Sequence, residues 1–277
     1  MKVEQRALRF RCHACWLIGI VSVPRQPRPR GVLIVTGGPQ YRVGSHRQFI
    51  LLASHLSAQG IPVMRFDYRG MGDSEGVSRT FESVDDDLQC AMQEFFNAVP
   101  ELEEVVMWGL CDGATAAAFY AWQDPRVCGL ILLNPWVRTE QGVARATLKH
   151  YYAARLADAD FWRKLLRGAV RPSSVFASLQ KLLGAATQRA EQAQAQLPAR
   201  IFDSLSHFGG RILIVLSGED LTAREFADLQ KSSASWRRLA SEARVQQVAL
   251  AGANHTFSRR EWREKVAQLS ETWVTSW

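Results

Sequence analysis

A cysteine between two glycines is the residue of this sequence best placed for covalent chemistry. The apolar run Val105–Leu110 predicts a strand, and Cys111 follows it directly, within Gly-Leu-Cys-Asp-Gly. Glycines on both sides favour a sharp strand-to-helix turn, because such a turn leaves no room for side chains there. The thiol then stands at a helix N-terminus, whose dipole favours a thiolate. The pattern predicts Cys111 as a nucleophile; the alternative is a buried, inert cysteine.

A cysteine nucleophile needs a histidine base and an acid that orients the base, and both occur later in the chain. Asp220 follows the apolar run Arg211–Leu216, and His255 follows a second apolar run that ends at Leu250. The carboxyl ends of parallel strands lie along one edge of a sheet, where α/β active sites form. We therefore expect Cys111, Asp220 and His255 to meet at that edge.

The elements that must position these residues alternate along the chain. Apolar runs predict parallel strands at 31–36, 61–66, 104–110, 128–133, 211–216 and 245–250. Helical spacing predicts helices at 45–59, 83–99, 112–123, 223–240 and 258–273. Phe10–Val23 predicts an antiparallel hairpin at the sheet edge, with its turn at His13-Ala14. The fold class is therefore α/β, with a doubly wound, mostly parallel sheet.

The pattern changes between the fourth and fifth of these strands. Residues 137–206 combine helical spacing with frequent basic residues and no strand-like run. Within them, 185–196 is rich in alanine and glutamine, which predicts an exposed helix. We therefore divide the chain into a core, 1–136 and 207–277, and a helical cap insertion, 137–206, that shapes an apolar acyl pocket.

Composition narrows the class of protein. Of the 277 residues, 47% are hydrophobic and 22% are charged, which is typical of a globular protein with a sizeable core. The net charge of +7 is scattered, so we expect no nucleic-acid partner. No run reaches the ~18 apolar residues of a membrane helix, and no secretory signal is evident. We expect no integral membrane segment, a cytoplasmic location and no structural disulfides.

Two further motifs suggest metal binding, and each has a simpler interpretation. Cys12 and Cys15 form a lone C-x-x-C, which lacks the second ligand pair of a zinc site. The acidic run Asp85–Asp87 lies in the first turn of a predicted helix, where the dipole favours negative charge. We expect no metal and no cofactor. The expected partner is a small-molecule acyl substrate, and no pattern indicates an oligomeric state.

The motifs carry a resemblance to known enzymes. The chain resembles the α/β-hydrolase superfamily over nearly its whole length, and Asp67–Gly76 is similar to its D-x-R-G-x-G-x-S-x-G loop. Gly37–Gly44, Gly109–Gly113 and Asp220–Thr222 are similar to the exosortase A system-associated hydrolase 1 family. The resemblance implies an α/β-hydrolase fold with a helical cap. It also implies a bacterial hydrolase encoded near a protein-sorting and exopolysaccharide system.

The resemblance implies a role for each site residue. Cys111 would attack a carbonyl carbon. His255 would take the thiol proton, or hold the thiolate as an ion pair, and Asp220 would orient His255. The oxyanion hole would use two backbone N–H groups, that of Asp112 after the nucleophile and that of Gly38 in the loop after the first parallel strand.

Two features depart from the superfamily pattern. Cysteine stands in place of serine at position 111, as in dienelactone hydrolases, which favours activated esters, lactones or thioesters over ordinary lipase or peptidase substrates. The acid loop is one residue shorter than the common G-x-x-D pattern, so Glu219 is an alternative to Asp220.

Polar residues near the predicted oxyanion loop are candidates for binding the substrate. Gln40 and Arg47 are the residues proposed for this role. Arg42 and Arg47 could each bind a substrate carboxylate, although solvated arginines are the expected state of both. Three functions then remain: a hydrolase with an acyl-enzyme intermediate, an acyltransferase with the same triad, and a non-catalytic binding protein on a hydrolase fold. Retention of all three triad residues argues against the last.

Overall fold

The computed structural model describes residues 3–38, 40–137 and 188–277, with side chains from residue 196 onward in the last range. The chain divides into two compact units, Met1–Trp136 with Ile201–Trp277, and Val137–Arg200. Most of the predicted cap, residues 138–187, lies outside the described residues. The domain division at 137–206 therefore stays a prediction.

An eight-stranded sheet runs through the described residues of the first unit. Its strands are β1 (Val3–Cys12), β2 (Cys15–Pro24), β3 (Arg30–Val35), β4 (Val63–Phe66), β5 (Glu104–Leu110), β6 (Val127–Leu133), β7 (Arg211–Ser217) and β8 (Val245–Leu250). The spatial order is β1-β2-β4-β3-β5-β6-β7-β8. β2 pairs antiparallel with β1 and β4, and the other neighbouring pairs are parallel. The predicted doubly wound, mostly parallel sheet is confirmed.

The burial of the strands explains their composition. β3, β5, β6 and β7 lie inside the sheet and are buried along nearly their whole length. Strands covered by helices on both faces have continuous apolar sequences, which is why these four strands could be predicted from the sequence. β8 forms one edge of the sheet and is only partly buried. β1 forms the other edge, as the hairpin pattern predicts.

Helices connect the strands. They are α1 (Gln48–Ala58), α2 (Asp85–Ala98), α3 (Asp112–Ala121), α4 (Gln188–His207), α5 (Leu221–Ser232), α6 (Ala234–Ala240) and α7 (Arg260–Thr275). The helices predicted over 223–240 are two, α5 and α6, because Ser233 leaves the helical conformation and caps α6 through the Trp236 N–H at 3.2 Å. No helix among the described residues is long and apolar enough to cross a membrane.

The C-x-x-C motif closes the β1–β2 hairpin. Cys12 lies opposite Cys15 in the strand register, and His13 turns the chain with φ 53°. All five cysteines lie in the described residues, and none is in a disulfide. Burial, helped by a hydrogen bond with Cys90, raises the pKa of the Cys12 thiol to about 12. Cys12 is therefore an unreactive thiol of the core.

The acidic run at the start of α2 does more than complement the helix dipole. The fully buried carboxylate of Asp87 accepts hydrogen bonds from the Arg69 backbone N–H at 2.8 Å and from its guanidinium at 2.7 and 3.0 Å. Asp86 also contacts Arg69, at 3.2 Å, and pairs with His13 at 3.0 Å. The run therefore anchors the Asp67–Gly76 loop to α2, which the helix-dipole interpretation did not predict.

Candidate active site

Cys111 lies at the turn between β5 and α3. Its backbone has φ 60° and ψ −125°, a conformation that is strained for any residue with a side chain. A Cβ atom on Gly109 would lie 2.5 Å from the Gly113 carbonyl oxygen, and one on Gly113 would lie 2.6 Å from that of Val35. The two flanking glycines are therefore required by the close approach of β5, α3 and β3. The turn leaves Cys111 partly exposed at the carboxyl edge of the sheet.

His255 and Asp220 are in direct contact at the same edge. His255 Nδ1 lies 2.9 Å from Asp220 Oδ2. Asp220 is also the N-cap of α5, and the same carboxylate oxygen accepts the Ala223 N–H at 3.0 Å. Asp220 is 9% exposed, whereas Glu219 is exposed to solvent. The structure therefore brings Asp220, and not Glu219, to the histidine.

The electrostatics favour a charged histidine. Hydrogen bonds with Asp220 and then with Cys111 outweigh burial and raise the pKa of His255 to about 10. Burial alone would raise the pKa of the Asp220 carboxyl, but its hydrogen bond to His255 and the charge of His255 lower it. A pKa of about 10 favours the imidazolium form of His255 at neutral pH, with Asp220 as its hydrogen-bonded counter-charge.

Asn134 is a residue of the site that the sequence analysis missed. It follows β6, is fully buried and has φ 44°. Its amide nitrogen donates to the His255 carbonyl oxygen at 3.0 Å and to Ser217 Oγ at 2.8 Å. Its amide oxygen accepts the Ser217 N–H at 2.8 Å. Asn134 therefore fixes the histidine loop to the end of β7. The polar Asn directly after an apolar strand was the available signal.

The predicted oxyanion donor Gly38 and the neighbouring Gly113 both donate to the Asp112 side chain. The Gly38 N–H donates to Asp112 Oδ2 at 2.7 Å, and the Gly113 N–H donates to Oδ1 at 3.1 Å. The Asp112 N–H also interacts with this carboxylate. Burial raises the pKa of the Asp112 carboxyl, while these N–H groups and the His255 charge oppose the rise. The sequence predicts the N–H groups of Gly38 and Asp112 as donors, but neither the Gly113 N–H nor the carboxylate that these groups hold.

The substrate-binding roles of Gln40 and Arg47 stay predictions. Gln40 Oε1 accepts a long hydrogen bond, 3.4 Å, from Gln48 Nε2, and Arg47 is exposed where α1 begins. The expectation that Arg42 is solvated was wrong. Its guanidinium is mostly buried and pairs with the fully buried Asp67 and, at 2.5 Å, with Asp73. The ion pairs join Arg42, which follows β3, to the Asp67–Gly76 loop.

A cavity of about 360 Å³ lies between α1 and α7. Its floor includes Trp108 of β5, Leu133 of β6 and Phe257, and neither Cys111 nor His255 lines it. The cavity is therefore distinct from the space around Cys111 and His255.

The strand order and the residues that follow the strands define a class of protein. A mostly parallel eight-stranded sheet with flanking helices, and with Cys111, Asp220 and His255 after β5, β7 and β8, is the α/β-hydrolase fold. The sequence profile of the Hydrolase_4 family, described as serine aminopeptidase, S33, matches residues 27–256. The chain therefore belongs to this hydrolase family.

Solved structures agree with this fold. The chain is similar to an esterase of Pyrococcus furiosus, with 14% identity, a TM-score of 0.68, and coverage of 99% of this chain and 91% of that chain. It is similar to Est1E from Butyrivibrio proteoclasticus, solved with ferulic acid bound, with 15% identity, a TM-score of 0.65, and coverage of 98% of each chain. It is also similar to dienelactone hydrolase from Anabaena variabilis, with 14% identity, a TM-score of 0.61, and coverage of 100% of this chain and 99% of that chain. At these identities the likeness shows the fold alone. No curated protein matches the sequence.

Proposed function

We propose that this protein hydrolyses an ester, thioester or lactone through a Cys111–His255–Asp220 triad and an acyl-enzyme intermediate. The observation that carries the proposal is the His255–Asp220 contact of 2.9 Å, together with the position of Cys111 close enough to His255 to help raise its pKa. Each member follows a different parallel strand, so the arrangement depends on the fold and not on local sequence.

The acylation step uses the charges already in place. The Cys111 sulfur attacks the carbonyl carbon, an S–C bond forms, and the carbonyl π electrons move to the oxygen. As the oxyanion collapses, the bond from carbon to the leaving group breaks, and His255 Nε2 gives its proton to the leaving group. The product is a thioester between the acyl group and Cys111.

Deacylation returns the triad to its starting state. Water gives a proton to His255 and attacks the thioester carbon, forming a C–O bond. Collapse of the second oxyanion breaks the S–C bond, so the carboxylic acid leaves and Cys111 recovers its electron pair beside the imidazolium. Throughout, Asp220 holds His255 Nδ1 and stabilises the positive charge on the ring.

The substrate class follows from the nucleophile. The family is described by its serine aminopeptidases, but cysteine at position 111 favours acyl groups with good leaving groups. The similarity to the structures of an esterase and a dienelactone hydrolase supports the same class. The association with a bacterial exosortase and exopolysaccharide system rests on the resemblance over Gly37–Gly44 and Gly109–Gly113. An acyltransferase would share the acylation step and differ only in its acceptor.

The test is steady-state turnover of matched activated esters, thioesters and lactones, with and without added alcohols and amines. Cys111→Ala should abolish turnover, and Cys90→Ala, which removes a thiol from α2, should retain it. Products that incorporate the added alcohol or amine would identify a transferase. Equal turnover by wild type and Cys111→Ala would overturn the proposal.

A further inference from the structure

The Asp112 carboxylate accepts a hydrogen bond from the Gly38 N–H, one of the two donors predicted for the oxyanion hole. Donors of an oxyanion hole are expected about 2.7–3.1 Å from the position of the oxyanion. The Gly38 and Gly113 N–H groups meet Asp112 oxygens at 2.7 and 3.1 Å, and the Asp112 N–H interacts with the same group. One of the two donors predicted for the hole, the Gly38 N–H, is therefore already engaged by an anion that belongs to the chain itself.

The surrounding backbone leaves room for this carboxylate. A Cβ atom on Gly37 would lie only 2.2 Å from Asp112 Oδ1 and 2.5 Å from the Gly113 nitrogen. Gly38 has φ 56°, which turns its N–H toward Oδ2. If Asp112 only capped the N-terminus of α3, its contact with the Gly113 N–H would be sufficient. The bond to Gly38 instead joins residues 74 positions apart, so it is a feature of the site.

We propose that Asp112 is a specificity-determining residue whose carboxylate occupies the oxyanion hole when no substrate is bound. The carboxylate moves out of the hole when the carbonyl oxygen of a neutral acyl group binds there. It disfavours acyl groups that carry a carboxylate near the scissile carbonyl. This inference rests on the proposed function. Asp112 is bonded to Cys111 along the chain, so its negative charge stays beside the acyl group after it leaves the hole.

The arginine of the oxyanion loop does not offset this charge. Arg42 is paired with Asp67 and Asp73. The His255 imidazolium also faces Asp112, but it is shared with Asp220 and the Cys111 sulfur. Two like charges about 4 Å apart in a half-buried site repel strongly enough to reduce a rate by roughly 10- to 100-fold.

The first experiment uses two alkylating reagents that differ in charge. Rates of Cys111 alkylation by neutral iodoacetamide and anionic iodoacetate are measured by mass spectrometry and normalised to glutathione. Asp112→Asn should raise the iodoacetate rate relative to the iodoacetamide rate by about 10-fold or more. Glu101→Gln is the matched control, because it removes an exposed carboxylate from the opposite end of β5 and should leave the ratio unchanged.

The second experiment uses substrates. Butyryl and succinyl thioesters of N-acetylcysteamine have the same acyl length and differ by a terminal carboxylate. Wild type should prefer butyryl in kcat/KM by about 10-fold or more, and Asp112→Asn should bring the ratio toward one, mainly through the KM for succinyl. Asp112→Ser, shorter and uncharged, replaces Asp112→Asn if that variant does not keep the wild-type melting temperature.

The outcomes separate the two proposals. Unchanged ratios in both experiments, or an equal loss of both activities in Asp112→Asn, would show that Asp112 only holds the loop and would overturn the inference alone. Alkylation of Cys111 without any Cys111-dependent turnover of either thioester would overturn the proposed function and this inference together.

Discussion

The charge on His255 is the residue-scale feature on which the proposed chemistry depends. Asp220 is the first cause of its raised pKa, and Asp220 reaches the ring because it also caps α5. A carboxylate held by a helix N-cap has a fixed direction, so one residue sets the orientation and the charge of the histidine. The same position explains why the neighbouring Glu219, outside the cap, is exposed.

Asp220→Asn should lower the pKa of His255 from about 10 toward its ordinary value, because the amide removes the negative partner. Turnover should fall by about 10³- to 10⁴-fold, as expected when a triad acid loses its charge. NMR titration of the histidine and steady-state kinetics measure the two effects. Glu219→Gln is the control. A large loss in Glu219→Gln with normal Asp220→Asn activity would contradict the assignment of the acid.

Among the connections between secondary-structure elements, the turn between β5 and α3 requires a glycine on each side of Cys111. Its glycines are fixed by backbone contacts, so a methyl group at Gly109 would have to move α3: it would lie 2.5 Å from the Gly113 oxygen and 2.6 Å from the Ala114 nitrogen. Gly109→Ala should therefore lower the free energy of unfolding by about 1–3 kcal/mol, the usual cost of overpacking.

The control for this prediction is Gly209→Ala. A Cβ atom there meets nothing within 4 Å, so stability should be unchanged. Urea unfolding of both variants measures the difference. Equal stability of the two alanine variants would show that the close approach at the turn does not constrain Gly109.

The Asp67–Gly76 loop is held to α2 by the buried pair of Arg69 and Asp87. Asp87→Asn should lower the free energy of unfolding by about 3–5 kcal/mol, because it leaves the mostly buried Arg69 guanidinium without its main counter-charge. Asp86→Asn, at a carboxylate that is 55% exposed, should cost under about 1 kcal/mol. Urea unfolding compares them, and similar losses in the two variants would contradict a dominant role for the buried pair.

At the scale of the whole molecule, stability should depend on the protonation of His255. Its pKa is raised to about 10 from 6.5, so its stabilising contribution is complete below about pH 6.5 and is lost as the pH rises through 10. The difference in free energy of unfolding between wild type and His255→Gln should therefore shrink from pH 6 to pH 10. A constant or growing difference over that range would contradict the charged histidine.

Most of the sheet could be predicted from the sequence because buried parallel strands are continuous apolar runs. The residues Val245–Leu250 of β8 form the strand predicted there. The sequence predicts helices over 223–240 but not the position of the break at Ser233, because helical spacing continues across it. The pairs Arg69–Asp87 and Arg42–Asp67 were missed for a different reason: a charged residue in a sequence does not reveal which distant carboxylate the fold brings to it.

Some residues of the candidate site could also be predicted from the sequence, and others could not. Cys111, Asp220 and His255 could be named because each directly follows a strand with a recognisable pattern. The carboxylate of Asp112 and the amide of Asn134 could not, because their roles depend on hydrogen bonds to residues 74 and 121 positions away. Such contacts exist only once the loops have packed.

The most direct test of the central claim is the intact mass of the protein after brief exposure to activated acyl thioesters, esters and lactones. We predict a mass increase equal to one acyl group in the wild type, removed by hydroxylamine and absent in Cys111→Ala. Peptide mapping should place the acyl group on Cys111. An acyl adduct of the same yield in folded Cys111→Ala, or turnover by that variant at the wild-type rate, would contradict a cysteine nucleophile at the centre of this fold.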